Sequence, residues 1–183
     1  MLAICFDAKP RPYTGAELRS HWIRQTFGLV NDAAVAFCGP ADVREHLVDL
    51  ADRERQAFIY SPLMLHFLIE HFHMPLQEAV ARQRLCMAIM RDLLPDLCGA
   101  PQRSGDDIYI DGRKLSVSIA TASPVSALIH MGLNIDAQGA PVPAIGLNEL
   151  KITASAFAET VLNQYQAEDE SMRSAANKVL AVP

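Results

Sequence analysis

The segment from Asp106 to Thr121 constrains the fold of this chain most, because it encodes two β-strands and the turn between them. Asp111-Gly112 tolerates the positive φ angles of a tight type I′ turn, and such a pair between two β-rich runs is a strong hairpin signal. The second strand alternates with a period of two, so its side chains fall on two faces. The apolar face holds Leu115, Val117 and Ile119, and the polar face holds Lys114, Ser116 and Ser118.

A second alternating run lies at residues 128–135. Its odd-numbered residues are apolar, whereas His130, Gly132 and Asn134 fall on the opposite side. If this strand shares a sheet with the hairpin, an ammonium group, two hydroxyls, an imidazole and an amide line one surface, and Gly132 leaves room for a ligand near the backbone. The sequence therefore indicates a candidate binding surface. The alternative from the pattern alone is the solvated outer face of an antiparallel sheet.

Composition and charge narrow the class of protein. Half of the 183 residues are apolar, so we expect a single domain, 1–183, with a substantial core. The net charge of −5 gives no broad basic field, so polymeric nucleic acid is not an expected partner. The four cysteines, Cys5, Cys38, Cys86 and Cys98, form no Cys-x-x-Cys pair, which favours a reduced, cytoplasmic protein. No apolar run suits a membrane span and the N-terminus lacks signal-peptide features, so no membrane is expected as a partner.

Local signals predict helices on both sides of the strands. Thr14 and Glu17 have the spacing of a capping box, which predicts a helix over residues 15–27. Ser61-Pro62 before an apolar run predicts that another helix begins near residue 63. Further expected elements are a buried strand over 33–38, a helix over 75–94 with Arg82, Arg84 and Arg91 on its polar side, a linker over 99–105, and a helix over 155–179 with a break near Asp169. The grouping favours an α+β fold over a parallel βαβ chain.

The second of these helices also suggests a metal site. His66, Glu70 and His73 are spaced i, i+4 and i+7, so a continuous helix would stack them on one face within reach of one ion. The familiar His-Glu-x-x-His order is absent, and no other predicted helix offers a further ligand. The alternative is that these are core histidines and a core carboxylate.

Several segments together resemble a family described as domain of unknown function 366. They are residues 18–28, 64–70, 82–85 and 111–121, and the resemblance extends over nearly the whole chain. That family is similar to a branch of the fold shared by biotin and lipoate protein ligases and class II aminoacyl-tRNA synthetase cores. The resemblance implies an α+β fold with an antiparallel or mixed β-sheet flanked by helices.

The resemblance also implies candidate site residues. Gly112-Arg113-Lys114-Leu115 matches a ligase motif whose lysine lies at the carbonyl and phosphate of an acyl-adenylate, which makes Lys114 the first catalytic candidate. His130, on the polar side of the run at 128–135, is the second, as a residue available for proton transfer. The candidate ligand-binding residues are Trp22, Arg24, Arg113, Ser116, Ser118 and Asn134. Trp22 is a candidate for stacking on a flat ring, with a place in the core as the alternative. The glycine-rich stretch that follows an arginine in the ligases has only Arg24 to Gly28 as its counterpart, so use of ATP is in doubt.

Three functions stay open from the sequence. The first is an enzyme that acts on a carboxylated or carbonyl-bearing heterocycle by acyl or adenylate transfer or by hydrolysis, and in a narrower version on a 7-deazaguanine-related base, as the resemblance implies. The second is a non-catalytic module that binds a metabolite, a nucleotide or an RNA end through Arg19, Arg24, Arg82, Arg84 and Arg91. The third is a metal-dependent hydrolase. The sequence is compatible with a homodimer and identifies no cofactor.

Overall fold

A five-stranded mixed sheet forms the centre of the structure, a computed structural model that describes residues 1–95 and 100–182. The strands are β1 (Ala3–Asp7), β2 (Ala33–Val43), β3 (Ile59–Phe72), β4 (Gln102–Ser104), β5 (Asp107–Ile110), β6 (Arg113–Lys114), β7 (Ser116–Ala122) and β8 (Ser126–Asp136). The helices are α1 (Trp22–Phe27), α2 (Leu50–Glu54), α3 (Leu76–Leu93) and α4 (Ala154–Asn177). Cys98 and the first residue of the predicted linker, Gly99, lie outside the described residues.

The large sheet has the strand order β1-β2-β3-β8-β7, in which β1 runs parallel to β2 and the other pairs are antiparallel. A smaller sheet of order β4-β5-β6 packs beside the edge strand β7. In the smaller sheet the predicted hairpin is confirmed, because Tyr109 pairs with Lys114 across the turn. Asp111 and Gly112 have φ angles of 50° and 72°, as a type I′ turn requires.

The two faces of the large sheet are covered differently. Helices α3 and α4 pack on one face, where the main core includes the apolar odd-numbered residues of β8. The segment before α1, α1 itself and residues 43–47 cover part of the other face around Val35, Phe37 and Leu68. The α+β fold with helices flanking a mixed sheet is therefore confirmed. Within the described ranges, no helix is both long and apolar enough to cross a membrane.

The helix predicted to begin near residue 63 is wrong, because residues 59–72 form β3. This strand is central in the sheet, so both of its faces are buried and its sequence is nearly continuously apolar. A continuous apolar run shows neither the two-residue period of a strand nor the 3.6-residue period of a helix, and Ser61-Pro62 resembles a helix start by coincidence. Pro62 is tolerated because the pairing with β2 shifts between Gly39 and Ala41, where a ladder hydrogen bond is missing anyway.

Of the other two predicted helices before the hairpin, one has the expected boundaries and one is shorter than expected. The helix predicted over 75–94 is confirmed as α3, whereas the one predicted over 15–27 begins only at Trp22. Thr14 and Glu17 form one of the two hydrogen bonds of a capping box, with 2.8 Å from the Thr14 amide nitrogen to Glu17 Oε2, while Thr14 Oγ1 donates to the same carboxylate. Gly15, however, has a φ of 89°, so the chain makes a turn there.

The break predicted near Asp169 is also wrong, since α4 continues to Asn177. The Asp169 carboxylate is buried and accepts hydrogen bonds from Arg82, at 2.7 Å, and from Arg173, at 2.8 Å. Arg82 was expected on the polar side of α3 and is instead buried in this contact between the two helices.

Candidate functional site

A cavity of about 530 Å³ lies over the part of the large sheet that α1 leaves open. Its floor includes Met64, His130 and Asn134 from β3 and β8, and it reaches the edge of the sheet at β7. Residues 46–60 and 140–144 form most of its rim. The volume suits a small organic molecule, and the mixture of apolar walls with a few polar groups is typical of a ligand pocket.

Lys114 lines this cavity and is the only lysine or arginine among the described lining residues. Its backbone is fixed between β5 and the segment that crosses the cavity rim, because its amide donates to the Pro143 carbonyl at 2.9 Å. Its Nζ lies 2.9 Å from Oδ2 of Asp107, which lines the same cavity. The structure therefore places a fixed ammonium group at the cavity wall, paired with one carboxylate.

His130 lies on the cavity floor and belongs to a stack of rings. The Tyr13 ring lies parallel to it, with 3.8 Å between centroids and 14° between planes. His130 Nε2 is 3.1 Å from Nδ1 of His66, and His66 Nε2 is 3.2 Å from the carbonyl oxygen of Gly39. Burial lowers the pKa of His66 to about 3, and burial together with the neighbouring His66 lowers the pKa of His130. Both rings are neutral at pH 7.

Asn134 joins the floor to the wall. Its Nδ2 atom lies 3.4 Å from the carbonyl oxygens of Lys114 and Ile145, so the side-chain amide spans the two segments. The prediction that Gly132 leaves room for a ligand is wrong, since a Cβ atom there would overlap the Met64 sulfur and crowd Val117. The glycine accommodates a core side chain.

Ser116 and Ser118 line the cavity, but on the opposite side of β7 from the predicted one. The register pairs Val117 and Ile119 with Gly132 and His130, so these apolar side chains share the face of His130. The alternation of side chains between the two faces shifts by one residue here, because the chain leaves the small sheet at Leu115 and enters the large one at Ser116. The cavity includes both serines because β7 is an edge strand.

Both serine hydroxyls already have protein partners. Ser116 Oγ accepts a hydrogen bond from the Ile108 amide at 2.8 Å. Ser118 Oγ accepts one from Gln83 at 2.6 Å and donates to the Asp106 carbonyl at 2.8 Å. Through these hydrogen bonds the two hydroxyls hold β5 against β7.

Three of the predicted ligand-binding residues lie outside the cavity. Trp22 packs against Phe27 and Phe37 in the smaller core, as the alternative interpretation expected. Arg24 is exposed on α1. Arg113 forms an ion pair of 2.7 Å with Glu149.

The metal hypothesis loses its geometric basis because residues 66–72 are a strand. Glu70 accepts hydrogen bonds from the His21 amide at 2.9 Å and from Ser126 Oγ at 2.7 Å, and His66 bonds to His130 and Gly39. His73 follows the strand in a positive-φ conformation. Within residues 1–95 and 100–182, no group of three or more His, Cys, Asp or Glu side chains is arranged to hold a metal ion.

Two cavity residues were missed from the sequence. Asp107 begins the first strand of the hairpin, and the register pairs Tyr109 with Lys114. Asp107 is therefore a diagonal neighbour of Lys114 on one face, so the position of the turn was a usable signal. Tyr13 had no such signal. It reaches the cavity because residues 11–13 pair in parallel beside β2, through a bridge between Tyr13 and Ala41. Gly39 lies at this pairing, where any side chain would overlap the Arg11 carbonyl.

Comparisons with known proteins agree on the architecture. A solved protein of unknown function from Pyrococcus horikoshi is 38% identical, with a TM-score of 0.95 over 100% of both chains. A biotin protein ligase variant from Aquifex aeolicus in complex with biotin shares 12% identity and a TM-score of 0.61 over 94% of this chain and 72% of that one. A lipoate-protein ligase A bound with ATP shares 13% identity and a TM-score of 0.55 over 92% and 85%. At these identities the ligases show the fold alone.

The sequence comparisons define the family. An uncharacterized protein of Methanocaldococcus jannaschii is 36% identical over 158 residues, which cover 82% of this chain and 72% of that protein. The sequence model of one family, which is described as a domain of unknown function, matches residues 2–180. The chain therefore belongs to the domain of unknown function family DUF366.

Proposed function

We propose that the cavity is the active site of an enzyme that acts on a small carboxylated or carbonyl-bearing heterocycle. The observation that carries this proposal is the position of Lys114, a fixed cation on the wall of a ligand-sized cavity. The ligase-like neighbours were solved with biotin and with ATP, which supports a small-molecule ligand for this fold.

Lys114 would bind the substrate's carboxylate or carbonyl oxygen. In a partly dry cavity an ammonium group stabilises negative charge that develops on such an oxygen more strongly than it does in water. The paired Asp107 holds Nζ in place before the substrate arrives, so that little reorganisation is needed. The reaction types that this favours are acyl or adenylate transfer and hydrolysis at a carbonyl.

His130 and Asn134 would orient the heterocycle against Lys114. Both lie on the floor, and His130 is the candidate for proton transfer. Burial and the neighbouring His66 lower its pKa, so it would act as a weak base. The apolar side chains of Val117 and Ile119 would contact the flat ring, as the register places them beside His130. A 7-deazaguanine-related base is a narrower form of this proposal, with a size that a cavity of about 530 Å³ admits.

The second candidate is a binding module without turnover, which the Lys114–Asp107 pair favours because it already neutralises the ammonium group. The version that binds an RNA end through five arginines has less support. Arg82 is buried against Asp169 and Arg84 pairs with Asp106, while Arg24 lies on the other side of the sheet from α3.

Incubation of the protein with heterocyclic carboxylates and lactams, with and without ATP, tests the enzyme directly. Mass spectrometry should detect an acyl-adenylate, a transferred acyl group or a hydrolysis product with the wild type and with Lys178→Ala, a control at an exposed lysine. Lys114→Ala should bind the substrate more weakly and lose turnover. Tight binding without any product would favour the binding module.

A further inference from the structure

The buried pair of His66 and His130 has a fixed order of protons. His66 lies between two groups: its Nε2 is 3.2 Å from the Gly39 carbonyl oxygen, and its Nδ1 is 3.1 Å from Nε2 of His130. Both rings are almost completely buried. Since neither ring has an ionic partner in the described residues, the neutral form is favoured, in which each ring carries one proton.

The Gly39 carbonyl decides where these protons are. A carbonyl oxygen only accepts, so the proton of His66 must be on Nε2. Its Nδ1 is then unprotonated and accepts a hydrogen bond, which requires a proton on Nε2 of His130. The one ring proton of His130 is therefore donated to His66, and Nδ1 of His130 carries a lone pair.

We propose that His66 is a positioning residue that makes His130 a hydrogen-bond acceptor for the cavity ligand, so that the site selects a heterocycle with an N–H or O–H donor at that point. This inference deepens the proposed function and rests on it for the identity of the ligand site. The proton order itself is a property of the ligand-free protein.

The surroundings hold the acceptor in place. The Tyr13 ring stacks on His130 at 3.8 Å, and the Phe37 ring stacks on His66 at 5.1 Å, so neither imidazole can turn without disturbing its neighbour. Nδ1 of His130 makes no hydrogen bond to the described part of the chain, and His130 lines the cavity. Of the two ring nitrogens of His130, Nδ1 is thus the one left for a ligand.

Asn134 adds a second acceptor to the floor. Its Nδ2 faces the carbonyls of Lys114 and Ile145, which leaves Oδ1 without a protein partner among the described residues. The floor thus presents two acceptors, and the wall presents the ammonium donor of Lys114. A lactam or amide-bearing ring has the matching order, with a carbonyl oxygen for Lys114 and a neighbouring N–H for the floor. An analogue methylated at that nitrogen leaves a buried acceptor unpaired and should be rejected.

Nitrogen NMR of the ligand-free protein labelled with ¹⁵N-histidine tests the proton order, because protonated and unprotonated ring nitrogens resonate in separate regions. At pH 7 we expect both His66 and His130 to be neutral, with Nε2 protonated and Nδ1 unprotonated. A proton on Nδ1 of either ring, averaging between the two tautomers, or a charged ring would overturn the proposal. Failure of every ligand to bind would refute the proposed function and leave this result intact.

Two substitutions of His66 distinguish a role in positioning the His130 proton from a role in packing. His66→Gln retains a donor for Gly39 and an acceptor for His130, whereas His66→Leu removes both. The Nε2 proton of His130 should persist in His66→Gln and should exchange with water at least about tenfold faster in His66→Leu. Equal exchange in the wild type and His66→Leu would contradict the role of His66. If His66→Leu fails to fold, loss of the slowly exchanging proton in folded His66→Gln contradicts it equally.

Discussion

The individual side chains of the cavity combine one cation with several acceptors. Lys114 is held by Asp107, and His130 is held by Tyr13 and His66. The sequence placed the lysine and the histidine on one candidate surface, and both line the same cavity. It did not show that His66 lies beside His130, since that contact joins β3 to β8 and depends on strand order.

The buried histidines should make the protein less stable in mild acid. The imidazoles titrate near pH 6.5 in the unfolded chain, whereas the pKa of His66 is about 3 in the folded protein and that of His130 is also lowered. Above pH 6.5 both states are neutral. Below it the unfolded chain takes up protons that the folded protein does not, so the free energy of unfolding decreases as the pH falls towards the folded pKa. Between pH 7.5 and 5, His66 alone accounts for about 2 kcal/mol.

Urea unfolding at pH 7.5 and pH 5 measures this effect. The wild type should lose at least about 2 kcal/mol more between these pH values than a variant that carries both His66→Gln and His130→Gln. The difference is informative because acidic groups such as Asp32 contribute to the pH dependence of both proteins. An equal loss in the two proteins would show that the histidines are not neutral and buried in the folded state.

Among the elements, the parallel pairing of residues 11–13 beside β2 determines where Tyr13 lies over the cavity floor. A Cβ atom on Gly39 would overlap the carbonyl oxygen of Arg11, which is backbone and cannot move aside as a side chain does. Gly39→Ala should therefore cost about 3 kcal/mol and displace Tyr13 from His130. Gly132→Ala is the matched control, because the obstructing atom there is the sulfur of a flexible methionine.

Chemical denaturation of the two glycine variants, together with the aromatic signals of Tyr13, provides the measurement. Gly39→Ala should show the larger loss of stability and an altered Tyr13 environment, while Gly132→Ala should retain that environment. A Gly39→Ala protein as stable as the Gly132→Ala protein would mean that residues 11–13 approach β2 less closely than the structure has it.

The contact between α3 and α4 depends on a buried ion pair. Asp169 has 1% side-chain exposure and lies 2.7 Å from Arg82. Asp169→Asn would leave the largely buried Arg82 guanidinium with only the longer contact to the half-exposed Glu78, at 3.4 Å, so we expect a loss of about 3 kcal/mol in the free energy of unfolding. Asp92→Asn breaks a comparable pair with Arg91, but its carboxylate is 71% exposed, so the loss should be below about 1 kcal/mol. Similar effects of the two substitutions would contradict this assignment.

The sequence predicted elements best where local chemistry decides them. The hairpin at Asp111-Gly112 and helix α3 follow from turn geometry and from a periodic pattern ended by Pro95. Strand β3 could not be predicted in this way, because burial on both faces removes the alternation that identifies a strand. Helix α4 continues past Asp169 because Arg82 and Arg173 compensate its charge. Arg82 lies on another helix, so the sequence around Asp169 does not reveal this contact.

The whole molecule places its two long helices and its cavity on different faces of one sheet. Helices α3 and α4 pack on one face, whereas the other face is closed by α1 and residues 43–47 over β2 and forms the cavity over β8 and β7. The main core therefore supports the floor of the cavity from behind.

Thermal denaturation in the presence of candidate ligands tests the assignment of this cavity most directly, because a ligand that binds the folded state raises the melting temperature. The panel comprises biotin, lipoate, ATP, acyl-adenylate analogues and nucleobases, including 7-deazaguanines, with the wild type, Lys114→Ala and Lys178→Ala side by side. We predict that a carbonyl- or carboxylate-bearing heterocycle or its adenylate stabilises the wild type and Lys178→Ala, and that Lys114→Ala loses most of this stabilisation. Stabilisation that is unchanged in Lys114→Ala would contradict the assignment and place the ligand elsewhere.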